Sequence, residues 1–281
     1  MRIGIASEQG RGAVNEDRAG AGADWAFVVD GATAPSGLDS GCVHGVRWFA
    51  DRLAAGLAAG LAAEERRPLP DVLAAAIASA RRAHGPGCDL DHPDSPSATV
   101  AVVRAAPGAD DADGAGGVEY LVLGDATVLL PTAPGPGGGV RAVTDDRLDH
   151  LPGGRPYSRE LVRASRNAPG GFWVAGTSVA AAYEALHGTA RTPGRRFAAM
   201  TDGCARLAEL FGASWAEVWE LLVRAGPEEL VARVRAAERA HGVPRGKRHD
   251  DATVVVGAFD PPAGPPPGAA APGGGGHGTG S

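Results

Sequence analysis

Lysine is almost missing from this 281-residue sequence: Lys247 is the only one, and every other basic side chain is arginine. Lys and Arg together number 27 against 33 Asp and Glu, a formal charge of −6. That balance excludes the basic surface a general nucleic-acid binder turns toward phosphates. Long hydrophobic runs are also lacking. The longest, residues 53–63, falls short of the roughly 18–20 residues a membrane-spanning helix needs. The start, MRIGIASEQGRG, turns polar at once, which argues against a secretory signal. Cysteine is scarce: Cys42, Cys88 and Cys204 form an odd set without metal-ligand spacing. No disulfide framework is expected, and a reducing cytoplasm is the expected location. Aromatics make up only 5%, and no internal repeat is visible.

Glycine (43) and proline (22) are abundant. They concentrate in 260–281, DPPAGPPPGAAAPGGGGHGTGS, which cannot build a core and is expected to be a disordered tail after a domain spanning 1–259. Residues 107–117 and 133–139 are Gly-rich and read as hairpin loops. Strand-like runs cover 3–6, 25–29, 98–103, 119–123, 128–130, 172–175, 197–200 and 253–259. Most are apolar on both faces, which predicts sheets covered on both sides. Val46, Phe49, Leu53, Leu57 and Leu61 form one helical stripe; Gly56 and Gly60 in it predict close approach to a neighbouring helix or sheet. A second helix follows over about 71–83. Ser214 to Glu217 is a capping-box pattern, and Pro227 suits the first turn of the next helix.

Carboxylates recur where apolar runs end. Asn15-Glu16-Asp17 precedes a turn, Asp30-Gly31 closes WAFVVDG, and Gly124-Asp125 closes YLVLGD. Thr201-Asp202-Gly203 closes FAAMTDG, and Asp250-Asp251 opens the last strand. One Asp-Gly pair is an ordinary turn signal. Five such sites point to a shared cluster, which is costly unless a cation neutralises it. Carboxylates without a Cys or His pair favour hard cations, Mg²⁺ or Mn²⁺.

The ordered strings NED (15–17), VVDGAT (28–33), PSATVAVV (96–103), LGDATVLL (123–130), AMTDG (199–203) and DDATVVV (250–256) resemble the metal-dependent protein phosphatases of type 2C. The resemblance covers about residues 1–259. It implies an α+β fold, a four-layer αββα sandwich of two central antiparallel sheets flanked by helices. It also implies a bacterial, cytoplasmic enzyme that hydrolyses phosphoserine and phosphothreonine in phosphorylated proteins with water activated by two Mg²⁺ or Mn²⁺ ions. By matching positions, Asp30 bridges both metals and the Gly31 carbonyl binds one. Asp202 and Asp250 hold the other, Glu16 and Asp17 serve a metal or its water shell, and Asp125 matches the ligand of a third metal. Arg11 is the counterpart of a phosphate-gripping arginine. Cys204, beside the TDG motif, lacks the loop of a cysteine phosphatase and reads as a small buried residue.

Three departures stand out. The loop Ala32 to Gly37 lacks the family's usual histidine; His44 either swings toward the metals or packs at a helix start. Arg11 is offset by one residue. Asp251 stands where Asn is usual, and its extra charge either tightens metal binding or accepts a hydrogen bond. Of the basic residues in 245–251, charge balance is the favoured role over phosphate gathering. In the variable region 144–193, Phe172-Trp173 reads as core strand in preference to a docking surface, and Asp145 and Asp146 as a solvated loop. A catalytically weak regulator that binds phosphoproteins, and a phosphatase for small metabolites, are the alternative functions. Setting Glu16, Asp17, Asp30, Asp125, Asp202, Asp250 and Asp251 aside leaves 26 acids against 27 bases, so the net acidity resides in the proposed site.

Overall fold

A computed structural model describes residues 1–32, 39–108, 115–132, 139–244 and 246–261. The tail from 262, the loop after Ala32, Arg245 and most of the two Gly-rich hairpin loops lie outside the described residues. Among the described residues, ten strands form two antiparallel five-stranded sheets. The first has the order β2 (Arg18–Ala21), β3 (Trp25–Ala32), β4 (Ser97–Ala105), β5 (Ala115–Leu123), β8 (Leu186–Pro193). The second runs β1 (Arg2–Glu8), β10 (Ala252–Ala258), β9 (Arg196–Met200), β6 (Thr127–Pro131), β7 (Val140–Thr144).

Strand side chains alternate between two destinations, as the period of two requires. In β3 and β4, Ala26, Val28, Ala101 and Val103 point between the sheets and meet Val128, Phe197, Ala199 and Val255 of the second sheet. Phe27, Val29, Val100 and Val102 point outward, onto Phe49, Leu53 and Leu57 of α1 (Gly45–Leu61) and Leu73 and Ile77 of α2 (Leu69–Ala83). On the opposite face, Leu129, Ala198, Met200 and Val254 pack against α5 (Trp215–Ala225) and α6 (Pro227–His241) through Val218, Leu222, Leu230 and Val234. Each of these large apolar side chains contributes about 1.5–3 kcal/mol by leaving water. The result is the αββα sandwich that the two-sided apolar strands predict.

Gly56 and Gly60 of α1 face α2. A Cβ on Gly56 would lie 2.9 Å from the Ala76 Cα, and one on Gly60 2.9 Å from Val72 Cγ1. At α5, Ser214 and Glu217 exchange side-chain-to-backbone hydrogen bonds, the complete capping box. Three strands escape the sequence pattern: β2, β7 and β8. Residues 172–175 correct the expectation of a strand. They make only isolated bridges, Arg166 to Phe172 and Ala98 to Ala175. Residues 115–117 also depart from expectation, pairing as strand with Arg191–Pro193 of β8.

Between β7 and β8 the chain forms a flap. It holds a 3₁₀ turn (Arg147–His150), helix α3 (Arg159–Ser165) and a second 3₁₀ turn (Val179–Glu184). Phe172 and Val174 tuck under it in a small core with Leu151 and Leu161. Helix α4 (Asp202–Glu209) starts directly at the end of β9.

Candidate active site

A cleft of about 930 Å³ opens at one end of the sandwich, lined by strand ends of both sheets and by the flap. Asp30, Gly31, Asp125, Asp202 and Asp250 all line it. Asp30 sits opposite Thr99 at the end of the β3–β4 ladder. Asp125 occupies the β5–β6 turn, where Gly124 takes φ +75°. Asp202 opens α4, where the helix N-terminus favours a negative charge. Asp250 precedes β10. Two close approaches need glycine. A Cβ on Gly31 would come within 2.6 Å of Val46 Cγ1 and 3.0 Å of Glu16 Cβ, and one on Gly203 within 2.0 Å of the Asp251 carbonyl oxygen.

The electrostatics are those of crowded, desolvated carboxylates. Burial raises the pKa of Asp30 well above the ordinary value, reinforced by the charges of Asp17, Asp202, Asp125 and Asp250. Burial and the charge of Asp202 push Asp125 up to about 7. Asp202 is raised by burial and by Asp250, and shares a hydrogen bond with Asp30. Asp17 lies one layer deeper. Thr201 Oγ1 donates to its Oδ2 at 2.8 Å, while its Oδ1 is buried with no hydrogen-bond partner. Burial pushes Asp17 up to about 7, against the lowering effect of Thr201 and Thr253. Glu16 stands beside Gly31 rather than in the cleft lining.

Clustered, desolvated acids and a buried carboxylate oxygen without a protein partner suit a cation ligand. Among the described residues, no three of these carboxylates bring oxygens within 4.8 Å of one another. The donor set is entirely oxygen, which fits Mg²⁺ or Mn²⁺.

Protein cations hold the rim. Lys247 Nζ donates to Asp250 Oδ1 at 2.9 Å and Arg206 Nη2 to its Oδ2 at 3.0 Å. Arg206 is itself held by the buried Glu238 at 2.7 Å, which also accepts from Arg235 at 3.0 Å and pairs with His249 at 2.6 Å. Arg235 closes the circuit by donating to the Asp250 carbonyl at 2.7 Å. Asp251 resolves its two readings toward hydrogen bonding, since its oxygens accept the N–H groups of Gly10 and Glu16, each at 2.7 Å. It thereby fixes the loop that carries Glu16 and Asp17.

Other candidates fall elsewhere. Arg11 is exposed and absent from the cleft lining; its backbone N–H donates to the His249 carbonyl. His44 is stacked on Trp48 at 4.1 Å, at the start of α1, and does not line the cleft. Cys204 is fully buried, and burial drives its thiol pKa well up, so it is no nucleophile. Asp145, expected in a solvated loop, is 4% exposed, lines the cleft and takes Arg147 at 2.8 and 2.6 Å; Asp146 is exposed. The flap arginines carry no motif that marks them in the sequence. Arg159 and Arg163 bind Asp94 at 2.6 and 3.3 Å, and Arg155 lines the cleft near Asp125.

The protein phosphatase 2C family model matches residues 6–235. A search of curated protein sequences returns no match. Among solved structures, the Mycobacterium tuberculosis serine/threonine phosphatase PstP/Ppp is 17% identical with TM-score 0.56, covering 92% of this chain and 98% of that one. The catalytic domain of PstP in complex with two manganese ions is 20% identical with TM-score 0.53, covering 91% and 96%. PppA, a regulatory component of the type VI secretion system in Pseudomonas aeruginosa, is 19% identical with TM-score 0.54, covering 92% and 97%. At these identities the likeness establishes a shared fold.

Proposed function

The chain belongs to the protein phosphatase 2C family and is a metal-dependent phosphoprotein phosphatase, and on that premise we propose which residues carry the reaction. Asp30, the Gly31 carbonyl, Asp202 and Asp250 hold a pair of Mg²⁺ or Mn²⁺ ions, with Glu16 and Asp17 serving the water shell behind them. Asp125 offers the ligand for a third. The observation that carries this reading is the convergence of Asp30, Asp125, Asp202 and Asp250 on one cleft from separate strand ends. When bound, such a pair of cations lowers the pKa of water and offsets charge on phosphoryl oxygens.

The remaining work falls to the chain's own residues. Arg206 and Lys247 hold both oxygens of Asp250, fixing its direction. Asp17, anchored by Thr201, stays under the floor with its second oxygen aimed at no protein donor. Arg155 is placed to meet a substrate phosphate, ahead of the exposed Arg11, because it lines the cleft beside Asp125. Phosphoserine and phosphothreonine in other proteins are the proposed substrates, since the cleft is open and flanked by the flap. A reducing cytoplasm is the proposed location. It is supported by three unpaired cysteines and by the absence, among the described residues, of a helix long and apolar enough to cross a membrane.

The purified chain should hydrolyse p-nitrophenyl phosphate and a phosphothreonine peptide with Mn²⁺, and Asp30→Asn should abolish both activities. Hydrolysis that survives chelation and this substitution would overturn the assignment. A panel including sugar and nucleotide phosphates tests the substrate class.

A further inference from the structure

On the far side of the α1–α2 hairpin from its connecting loop, three side chains meet that the sequence keeps far apart. Cys42 lies just before α1, while His84 and Cys88 follow α2. The two sulfurs are 3.6 Å apart, and Cys42 Sγ is 3.5 Å from His84 Nδ1. One ligand atom from each lies within 4.8 Å of the others, and among the described residues this is the one group of His, Cys, Asp and Glu so arranged. None of the three lines the catalytic cleft.

We propose that Cys42, His84 and Cys88 form a second metal site, selective for a soft or borderline cation such as Zn²⁺ and separate from the carboxylate centre. The distances carry the argument. Tetrahedral zinc with Zn–S bonds of about 2.3 Å separates two thiolates by about 3.8 Å, and a sulfur from an imidazole nitrogen by about 3.6 Å. The observed 3.6 and 3.5 Å match both spacings. They exceed the ~2.05 Å of a disulfide bond.

The imidazole provides a second observation. His84 finds no oxygen or nitrogen partner at either ring nitrogen: Nδ1 faces sulfur, and Nε2 is buried with no hydrogen-bond partner. An imidazole so placed lacks the pairing that buried polar groups ordinarily have. The backbone pre-shapes the site. The Asp89 N–H donates to the Gly41 carbonyl at 2.7 Å, tying the two loops together, and the Cys88 N–H donates to the Gly85 carbonyl at 3.2 Å within the second loop. Zn²⁺ uptake would release the two thiol protons to solvent, and the half-buried position leaves the fourth coordination place to water. The two thiols and imidazole make the site soft, where the catalytic cleft is hard, so one chain sorts two classes of divalent cation.

The test uses the whole chain, reduced, stripped of metal and saturated with Mg²⁺ so that the oxygen sites are filled. Zn²⁺ should then bind at one further equivalent. Co²⁺ in its place should show the thiolate-to-cobalt charge-transfer band of a tetrahedral sulfur site. Cys42→Ser, Cys88→Ser and His84→Ala should each weaken Zn²⁺ by more than the roughly 10–100-fold that loss of an outer-shell partner costs, and Cys204→Ser should leave it unchanged. The Co²⁺ spectrum of the unaltered protein decides the matter even if a variant fails to fold. Absence of the charge-transfer band, Zn²⁺ affinity indifferent to Cys42 and Cys88, or a Cys42–Cys88 disulfide forming in place of metal uptake would each overturn the proposal.

Discussion

Glu238→Gln isolates the most heavily charged contact behind the site. The Glu238 side chain is 0% exposed, and its two oxygens take Arg206, Arg235 and His249. Glutamine keeps the shape, removes the charge and turns an NH₂ group toward buried guanidinium groups. Breaking a buried pair by neutralising one partner costs about 3–5 kcal/mol. Arg235 retains Glu8 and Arg206 retains Asp250, so the lower end applies, about 3 kcal/mol. For a domain of this size that is a drop in Tm of roughly 6–12 °C. The pH dependence provides an independent check. Desolvation raises the Glu238 pKa, but hydrogen bonds from His249, Arg235 and Arg206 outweigh it, and the net shift is downward. A depressed carboxylate contributes stability above its unfolded pKa, about 4.3. It loses that contribution as pH falls through the folded value. The Tm gap between wild type and Glu238→Gln should therefore be full at neutral pH and close on acidification below about pH 4. Scanning calorimetry across that range is the assay. Equal Tm values at pH 7, or a gap that persists unchanged in acid, would refute the reasoning.

Other expectations follow from the same geometry. Saturating Mn²⁺ at 100 times its Kd should stabilise the wild type by about 2.7 kcal/mol per site, and Asp30→Asn should lose most of that gain; an unchanged Tm on adding Mn²⁺ would count against the metal centre. Asp251→Asn leaves one of the Gly10 and Glu16 N–H donors without an acceptor and should cost about 1–3 kcal/mol in urea denaturation. Gly56→Ala, which helix propensity alone favours by about 1 kcal/mol, should instead destabilise, because the new Cβ meets Ala76 at 2.9 Å; a rise in urea midpoint would refute the contact.

What the sequence discloses depends on burial. The core strands β3, β4, β6, β9 and β10 are covered on both faces and read as apolar runs. The edge strands β2 and β8 are not, because RAGA and LHGTARTP are half-exposed and carry polar residues. Residues 172–175 mislead for the opposite reason. They alternate like a strand, Phe172 toward the flap and Trp173 toward the helices, yet find only single bridges. The aspartates at cleft strand ends are legible because each abuts an apolar run. Asp145 is not, because Asp146 and Arg147 beside it read as surface. Cys42, His84 and Cys88 are invisible to spacing rules, since a helical hairpin and not a short motif brings them together.

The position of β10 has a consequence for how the protein comes into being. β10 lies between β1 and β9, with Arg2 opposite Ala258 and Val254 opposite Met200. During synthesis β1 must therefore wait for residues more than 240 positions later before it gains its partner. The same strand is preceded by Asp251, which braces the acidic loop between β1 and β2. Such long-range closure is slow. A nascent or truncated chain lacking β10 has its second sheet divided and its cleft unfinished, so catalytic competence waits until this strand has been made.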